Sequence, residues 1–300
     1  MNKVSIHTCP VCDGTRLQRA LTCVDHCASG EMFHLCRCAD CGFLFTQDFP
    51  DEQEIGRYYD FPQYISLTDD RRGLVNRMYH RVRTHMLNRK AKLVIREAHR
   101  PTGSLLDVGT GTAYFADRMA RAGWQVEAVE KSPEARQFAL DKFGLKVKSP
   151  DEMGDFGVGQ FHVITLWHVL EHIQDVGGAL DAYHRLLADD GILLLALPNC
   201  SSFDARKYGA YWAAYDVPRH LWHFTPDSIQ RFALRHGFVM TERRPMPFDA
   251  FYISILTEHH MRHTLPVARG MLTGCAAYFS SLVHKERSSS MTYVFRKKSA

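Results

Sequence analysis

Along the second half of the chain, short apolar runs alternate with amphipathic stretches. Leu105–Val108 runs into two closely spaced glycines, and a helical pattern follows from Thr112 to Ala122, ended by Gly123. Val126–Val129 is a second strand-like run. The helix after it has Ser132 as N-cap and Pro133 at its first position. Phe161–Leu166 reads as a strand, Gly178–Ala188 as a helix, and Ile192–Leu197 as a strand buried on both faces. Pro226–Arg235 is a helix closed by Gly237, with strands near Phe238–Thr241 and at Met291–Arg296. Repeated strand–helix units predict an α/β fold with a parallel, doubly wound sheet.

Upstream the pattern changes. Residues 1–48 are cysteine-rich, with short strand-like pieces such as Phe43–Thr46. Residues 49–100 carry YYDFPQY at Tyr58–Tyr64 and continue into a long helical pattern, Leu67 to His99, which Pro101 and Gly103 stop. The expected organisation is a small domain over 1–48, a tyrosine-rich and helical linker over 49–100, and an α/β domain over 101–300. The last carries an insertion at about 245–290. Inside it, Leu265–Val283 is the longest weakly apolar stretch. With Arg269, two glycines and two serines it predicts a buried helix rather than a membrane span. MNKVSIHTCP holds no long apolar run, so a cytoplasmic chain is expected.

The net charge of +4 is unevenly spread. Residues 1–60 carry 5 basic and 9 acidic side chains, and residues 61–100 carry 10 and 3. The basic excess therefore lies in the linker, as a solvated helix face or a contact for an anionic partner.

Seven of the nine cysteines fall within the first 41 residues. In a reducing compartment, clustered thiols indicate metal rather than disulfides. Cys9-Pro-Val-Cys12 and Cys38-Ala-Asp-Cys41 are two C-x-x-C knuckles with 25 residues between them. Two such pairs place four thiolates around a structural Zn²⁺ and close it to water. Cys23, Cys27 and Cys36 read as ordinary small residues.

Asp107-Val-Gly109-Thr110-Gly111 sits where a strand hands over to a helix. A dinucleotide site needs the backbone bare at a third place, and here that place is Tyr114. A cofactor without phosphate fits better. S-adenosylmethionine (SAM) presents an amino-acid end, which the glycines let approach and whose ammonium Asp107 can meet. Glu130, at the end of the next strand, can accept both ribose hydroxyls. The cofactor set read here is Asp107, Gly109, Thr110, Gly111, Glu130, Lys131, Leu166 and Trp167.

Three later stretches carry a family resemblance: HVLEH at His168–His172, LLLALPN, and DVPRHLWHFTPDSIQRFALRHGF from Asp216 to Phe238. Together they resemble class I SAM-dependent methyltransferases, in the group related to ubiquinone-biosynthesis O-methyltransferases and sugar methyltransferases. The resemblance covers roughly residues 56–240. It implies a Rossmann-like seven-stranded sheet with the last strand antiparallel, beside the zinc ribbon. It also implies a tyrosine lid over the cofactor, assigned to Tyr64, and a substrate-side loop at PRHLWHFT. Ala113 departs from the pattern, because many relatives have a third glycine there. Relatives bind a divalent metal at the HVLEH position through acidic and histidine side chains; here the residues are His168, Glu171 and His172, and His168 replaces an acid.

Methyl transfer is an in-line displacement, so the protein aligns the acceptor and manages its proton. His168, His220 and His172 are the candidates for that proton, with His168 ranked first and with Arg219 and His223 as positioning groups. The function expected is methyl transfer to a small-molecule or sugar-containing acceptor, at oxygen first. The alternatives are an RNA methyltransferase that reads nucleic acid through its ribbon, and a SAM-binding module without catalysis. An acidic ribbon argues against RNA, since phosphate contact needs cations.

Overall fold

Short alternating runs at the N-terminus become strands β1 (Lys3–Val4), β2 (Leu17–Val24), β3 (Met32–Cys38), β4 (Leu44–Gln47) and β5 (Phe49–Pro50). The structure is a computed structural model, and it describes residues 2–59 and 74–298. The long helix α1 (Leu74–Glu97) precedes the alternating part: β6 (Ser104–Val108), α2 (Tyr114–Ala120), β7 (Gln125–Val129), α3 (Pro133–Phe143) and β8 (Phe161–Trp167). Then follow α4 (Val176–Leu186), β9 (Leu187–Pro198), α5 (Phe203–Tyr208), β10 (Trp222–His223), α6 (Pro226–Arg235) and β11 (Phe238–Met246). The insertion folds as two helices, α7 (Asp249–His260) and α8 (Pro266–Val283), before β12 (Ser290–Lys297).

The Ser132 cap forms where the sequence placed it, and Gly144 and Thr225 add two that the sequence reading did not mark. Ala135 N–H donates to Ser132 Oγ at 3.1 Å, and Gly144 closes α3 with φ 68°. Thr225 caps α6 through a reciprocal pair with Ser228.

The central sheet runs β11-β12-β9-β8-β6-β7 and is mostly parallel with one antiparallel edge. The last strand, β12, lies inside it, between β11 and β9. Ile192 to Leu197 are all fully buried, as an uninterrupted apolar run on a covered strand requires. Among the described residues the sheet has six strands rather than seven. Beyond β7 the next segment contributes a single parallel bridge, Val129 to Lys148. Pro150 follows two residues later and opens a short helical turn, so the strand does not extend.

The chain divides into two compact units. One holds residues 1–61, 168–180 and 196–293, the other 62–167, 181–195 and 294–300. In the second unit Leu105, Val163 and Leu194 of the sheet pack with Ala91 and Val94 of α1 and Phe115 and Met119 of α2.

In the first unit the cysteine-rich strands form a four-stranded sheet, β10-β4-β3-β2. The strand that completes it comes from far along the chain, with Trp222 opposite Phe45 and His223 opposite Leu44. Phe33, Leu35 and Leu44 share one core with Trp212, Tyr215 and Val217. About fifty residues are too few to build a sufficient core alone, and this pairing supplies the missing apolar surface.

Arg219 lies beneath that core with 1 % of its side chain exposed. It donates to Asp25 at 2.9 Å, to both oxygens of Asp216 at 2.6 and 3.0 Å, and to the Tyr58 carbonyl at 2.8 Å. Asp25 also accepts from the backbone N–H groups of Cys27, Ala28 and Ser29, which fixes the turn between β2 and β3. Two carboxylates hold the guanidinium charged against burial and raise its pKa. Replacing it by Met keeps the volume but leaves Asp25 buried without its partner. Arg219→Met is expected to lower stability by about 3–5 kcal/mol, read from urea unfolding curves. An unfolding midpoint equal to that of the parent would show that the network contributes nothing.

Candidate active site

β6 carries Asp107 to its C-terminal tip, and the chain then turns three times through the left-handed region. Gly109 has φ 65°, Gly111 56° and Ala113 60°. Ala113 thus adopts the conformation that a third glycine would take without strain. Val129 O accepts from Gly109 N–H and Thr110 N–H, at 2.8 and 3.1 Å. Glu130 completes the pinning: Oε2 accepts from Gly111 N–H at 2.8 Å and Oε1 from Ser132 N–H at 2.9 Å. Each oxygen retains acceptor capacity after these bonds. A Cβ added at Gly111 would meet nothing within 4 Å, so the loop is open on that side.

Asp107 is buried and accepts from Thr165 Oγ1 at 2.6 Å. Burial pushes its carboxyl up to about 6, against the pull of that hydrogen bond. Lys131 is exposed and Leu166 is fully buried in β8. Trp167, half-buried, stacks under the Lys90 ammonium at 4.2 Å and meets the edge of Phe115 at 5.3 Å. Its indole N–H is buried with no partner among the described residues. Lys90 and Phe115 were not legible as neighbours, since nothing local marks them. Tyr64 lies outside the described residues.

A second group of side chains gathers in the other unit. His168 directly follows β8 and has φ 59°, a strained setting for a residue with a Cβ. Its N–H donates to the Ala196 carbonyl at 2.9 Å. Its ring lies between two acids, Nδ1 at 3.7 Å from Glu171 and Nε2 at 3.4 Å from Asp249. Burial opposes the charged ring, but these carboxylates outweigh it and raise its pKa to about 9. Asp249 opens α7 in the insertion. No sequence signal links it to His168.

His172 and His220 behave differently. Nδ1 of His172 is 3.1 Å from the Arg219 carbonyl and 3.1 Å from the Tyr59 hydroxyl. A carbonyl only accepts, so Nδ1 carries the proton and Nε2 keeps its lone pair. Burial, with His220 beside it, pulls His172 down to about 4. Nδ1 of His220 likewise donates to the Ala214 carbonyl at 2.8 Å. The two rings meet edge to face with centroids 4.5 Å apart. Glu171 is buried beside them, and neither carboxylate oxygen has a hydrogen bond among the described residues. Burial would raise its pKa, yet the three surrounding histidines hold it below the usual range. Ligand atoms of Glu171, His172 and His220 all lie within 4.8 Å of one another. His168 is not in that group; His220 takes the place the sequence gave it.

His223 is buried away from this cluster. Thr46 Oγ1 donates to the His220 carbonyl at 2.8 Å, so it receives its own hydrogen bond from His223 Nε2 at 3.1 Å. His223 and Arg219 therefore hold the loop on which His220 stands.

At the N-terminus Cys9, Cys12, Cys38 and Cys41 converge, with their sulfurs within 4.8 Å of one another. Cys9 and Cys41 are 3.6 Å apart and Cys12 and Cys38 3.5 Å. Tetrahedral ligands at a Zn–S distance of about 2.3 Å stand roughly 3.8 Å apart, so the spacing fits. Cys23, Cys27 and Cys36 join no such group among the described residues.

The sequence matches the family model described as "Methyltransferase domain" over residues 79–243, more than half of the chain. The ubiquinone biosynthesis O-methyltransferase of Xanthomonas oryzae pv. oryzae (strain PXO99A) is 32% identical over 129 residues, or 40% of this chain and 54% of the relative. The enzyme of the same name from Caulobacter sp. (strain K31) is 29% identical over 141 residues, 43% of this chain and 56% of the relative. The chain spans about half the length of these curated relatives. The solved structure of the cyclase SpnF aligns with TM-score 0.52 at 18% identity, covering 84% of this chain and 98% of that one. That likeness supports the fold. Taking the glycine loop, the strand order and the matched length together, the chain belongs to the methyltransferase-domain family.

Proposed function

We propose that this chain transfers a methyl group from SAM to an oxygen atom of a small-molecule or sugar-containing acceptor. The observation that carries the reading is the glycine loop, pinned to Glu130 and open beside Gly111. Asp107 meets the ammonium of SAM, and that cation favours its ionised form. Gly109, Thr110 and Gly111 line the amino-acid end. Glu130 takes the ribose hydroxyls with the acceptor capacity it retains, and Lys131, Leu166 and Trp167 complete the set, with Tyr64 as lid. The names of the curated relatives support oxygen as the acceptor. RNA methylation and a non-catalytic SAM module find no such support.

In the transfer, the acceptor oxygen forms a bond to the methyl carbon as the carbon–sulfur bond breaks. Sulfur leaves as the neutral thioether, and the hydroxyl proton passes to a base. His168, clamped between Asp249 and Glu171, is protonated near neutral pH. His220 holds its Nδ1 on the Ala214 carbonyl and turns Nε2 to the other side, 3.9 Å from Asp216, so we place it ahead of His168 as the base. His168 then acts as a fixed positive charge.

The buried carboxylate of Glu171, ringed by three histidines, favours a second reading of the same cluster. Two imidazoles, each with Nδ1–H on a backbone carbonyl, and one carboxylate form a donor set suited to a divalent cation. Such a cation would lower the pKa of an acceptor hydroxyl. The four-cysteine group is proposed as a structural Zn²⁺ site, since all its ligand positions are filled by protein.

Glu130→Ala should weaken binding of S-adenosylhomocysteine by about 1–3 kcal/mol, and Gly109→Arg should abolish it by filling the loop. Calorimetric titration reads both, and unchanged affinity in the two variants would reject the cofactor site. Purified chain should contain one zinc by elemental analysis, most of it lost in Cys38→Ser; a zinc-free preparation made without chelator rules the site out. His220→Gln should lower turnover by roughly 10²–10⁴-fold with cofactor affinity intact, and near-normal turnover removes His220 from the mechanism. Titration with Mg²⁺ or Mn²⁺ separates the two readings. Binding that Glu171→Gln abolishes supports the cation, and no binding leaves His220 as base alone.

A further inference from the structure

The α7–α8 hairpin is built inside out. The face of α8 turned to the protein is small or polar: Gly270, Thr273, Gly274, Ala277 and Ser281. A Cβ at Gly270 would collide with the Ile255 backbone, and one at Gly274 would lie 2.9 Å from Phe251 Cα. Polar groups fill the rest of the interior. Buried Glu258 accepts from Tyr208 Oη at 3.0 Å and Arg269 Nε at 2.8 Å and bonds His263 Nδ1 at 2.6 Å, while Lys207 donates to Thr273 at 2.6 Å.

The opposite face carries the large apolar side chains. Val267, Met271, Leu272, Phe279, Leu282 and Val283 are all exposed, Leu272 by 73% and Val283 by 77%. At helical spacing these positions cover the half-circumference facing away from the buried glycines, and no charged residue interrupts them. The sequence predicted a buried helix here. The structure buries one side only, because the inner residues are too small to need the outer ones as core. A contiguous apolar face of this kind on a helix marks a contact surface.

Charge at its two ends identifies the partner. Arg262 stands before the start of α8, and Lys285 and Arg287 follow its end; Arg269 is already paired with buried Glu258, and Glu286 is the one acid among the flanking residues. A two-fold dimer through this face would oppose basic ends to basic ends, whether the helices ran parallel or antiparallel. A surface of anionic phosphates with acyl chains beneath it complements both features. Among the described residues no helix is long and apolar enough to cross a membrane, and α8 spans about 27 Å at 1.5 Å per residue, suited to lying flat.

We propose that the outer face of α8 docks the protein onto an anionic lipid surface, with its apolar side chains in the acyl boundary and the flanking Arg and Lys on headgroup phosphates. The inference is independent of methyl transfer.

Flotation of the full chain with vesicles tests it. Binding is expected to phosphatidylcholine vesicles containing phosphatidylglycerol, less to phosphatidylcholine alone, and to weaken as salt is raised. Leu272→Glu with Phe279→Glu should reduce binding on the order of tenfold or more. Both side chains are exposed, so the thermal unfolding midpoint should not fall, which separates lost docking from lost fold. Absence of binding to either vesicle, or binding that the double variant leaves unchanged, overturns the proposal. So does a lipid-free dimer in sedimentation velocity that the double variant splits, since the face would then belong to a second copy.

Discussion

One guanidinium shut away from water organises the unit that holds both the cysteine group and the histidine cluster. Arg219 reaches the β2–β3 turn through Asp25, the start of its own loop through Asp216, and the Tyr58 carbonyl. Planarity and five donors let one side chain serve three partners, which a lysine could not do. Its own carbonyl receives the bond from His172, and its neighbour His220 is tied to Ala214 and, through Thr46, to His223. The loop is therefore fixed from several sides at once. Fixed backbone carbonyls are what hold both histidines by Nδ1 and turn Nε2 away from the backbone.

The two buried acids show how neighbours set charge. Asp107, with a hydroxyl for company, is raised towards neutrality by burial. Glu171 is as deeply buried, but histidines surround it and it stays ionised. An ammonium arriving at the first would pull it back towards the ionised form, whereas a cation arriving at the second would meet the charge state already favoured.

Local chemistry was legible in the sequence, and long-range packing was not. Glycine spacing, the Ser132 cap and the knuckles depend on residues within a turn of each other, and they fold as read. Ala113 was legible as a departure from a third glycine; the added fact is its left-handed backbone. Among the described residues the place of a seventh strand holds the single bridge at Lys148, with Pro150 two residues on. HVLEH and PRHLWH were each visible, but their meeting places Glu171 with His220, 49 positions apart, and no local pattern encodes that pairing. Asp249 and Thr46 were missed for the same reason. The helix of the insertion was found, but which of its sides faces the protein depends on α7, whose packing no periodicity reveals.

The pairing of β4 with Trp222–His223 also orders events during synthesis. The first strands leave the ribosome long before their partner, with β6 through β9 made in between. At about 5–20 residues per second, the nascent β4 waits on the order of 10–30 s with one edge uncovered. Throughout that interval the segment is closed on itself by the β2–β3–β4 hairpins, the pairing of β1 with β5 and the knuckles. If the four-cysteine group holds zinc as proposed, zinc supply at the moment of translation bears on yield, because an uncovered edge is a template for association with other chains.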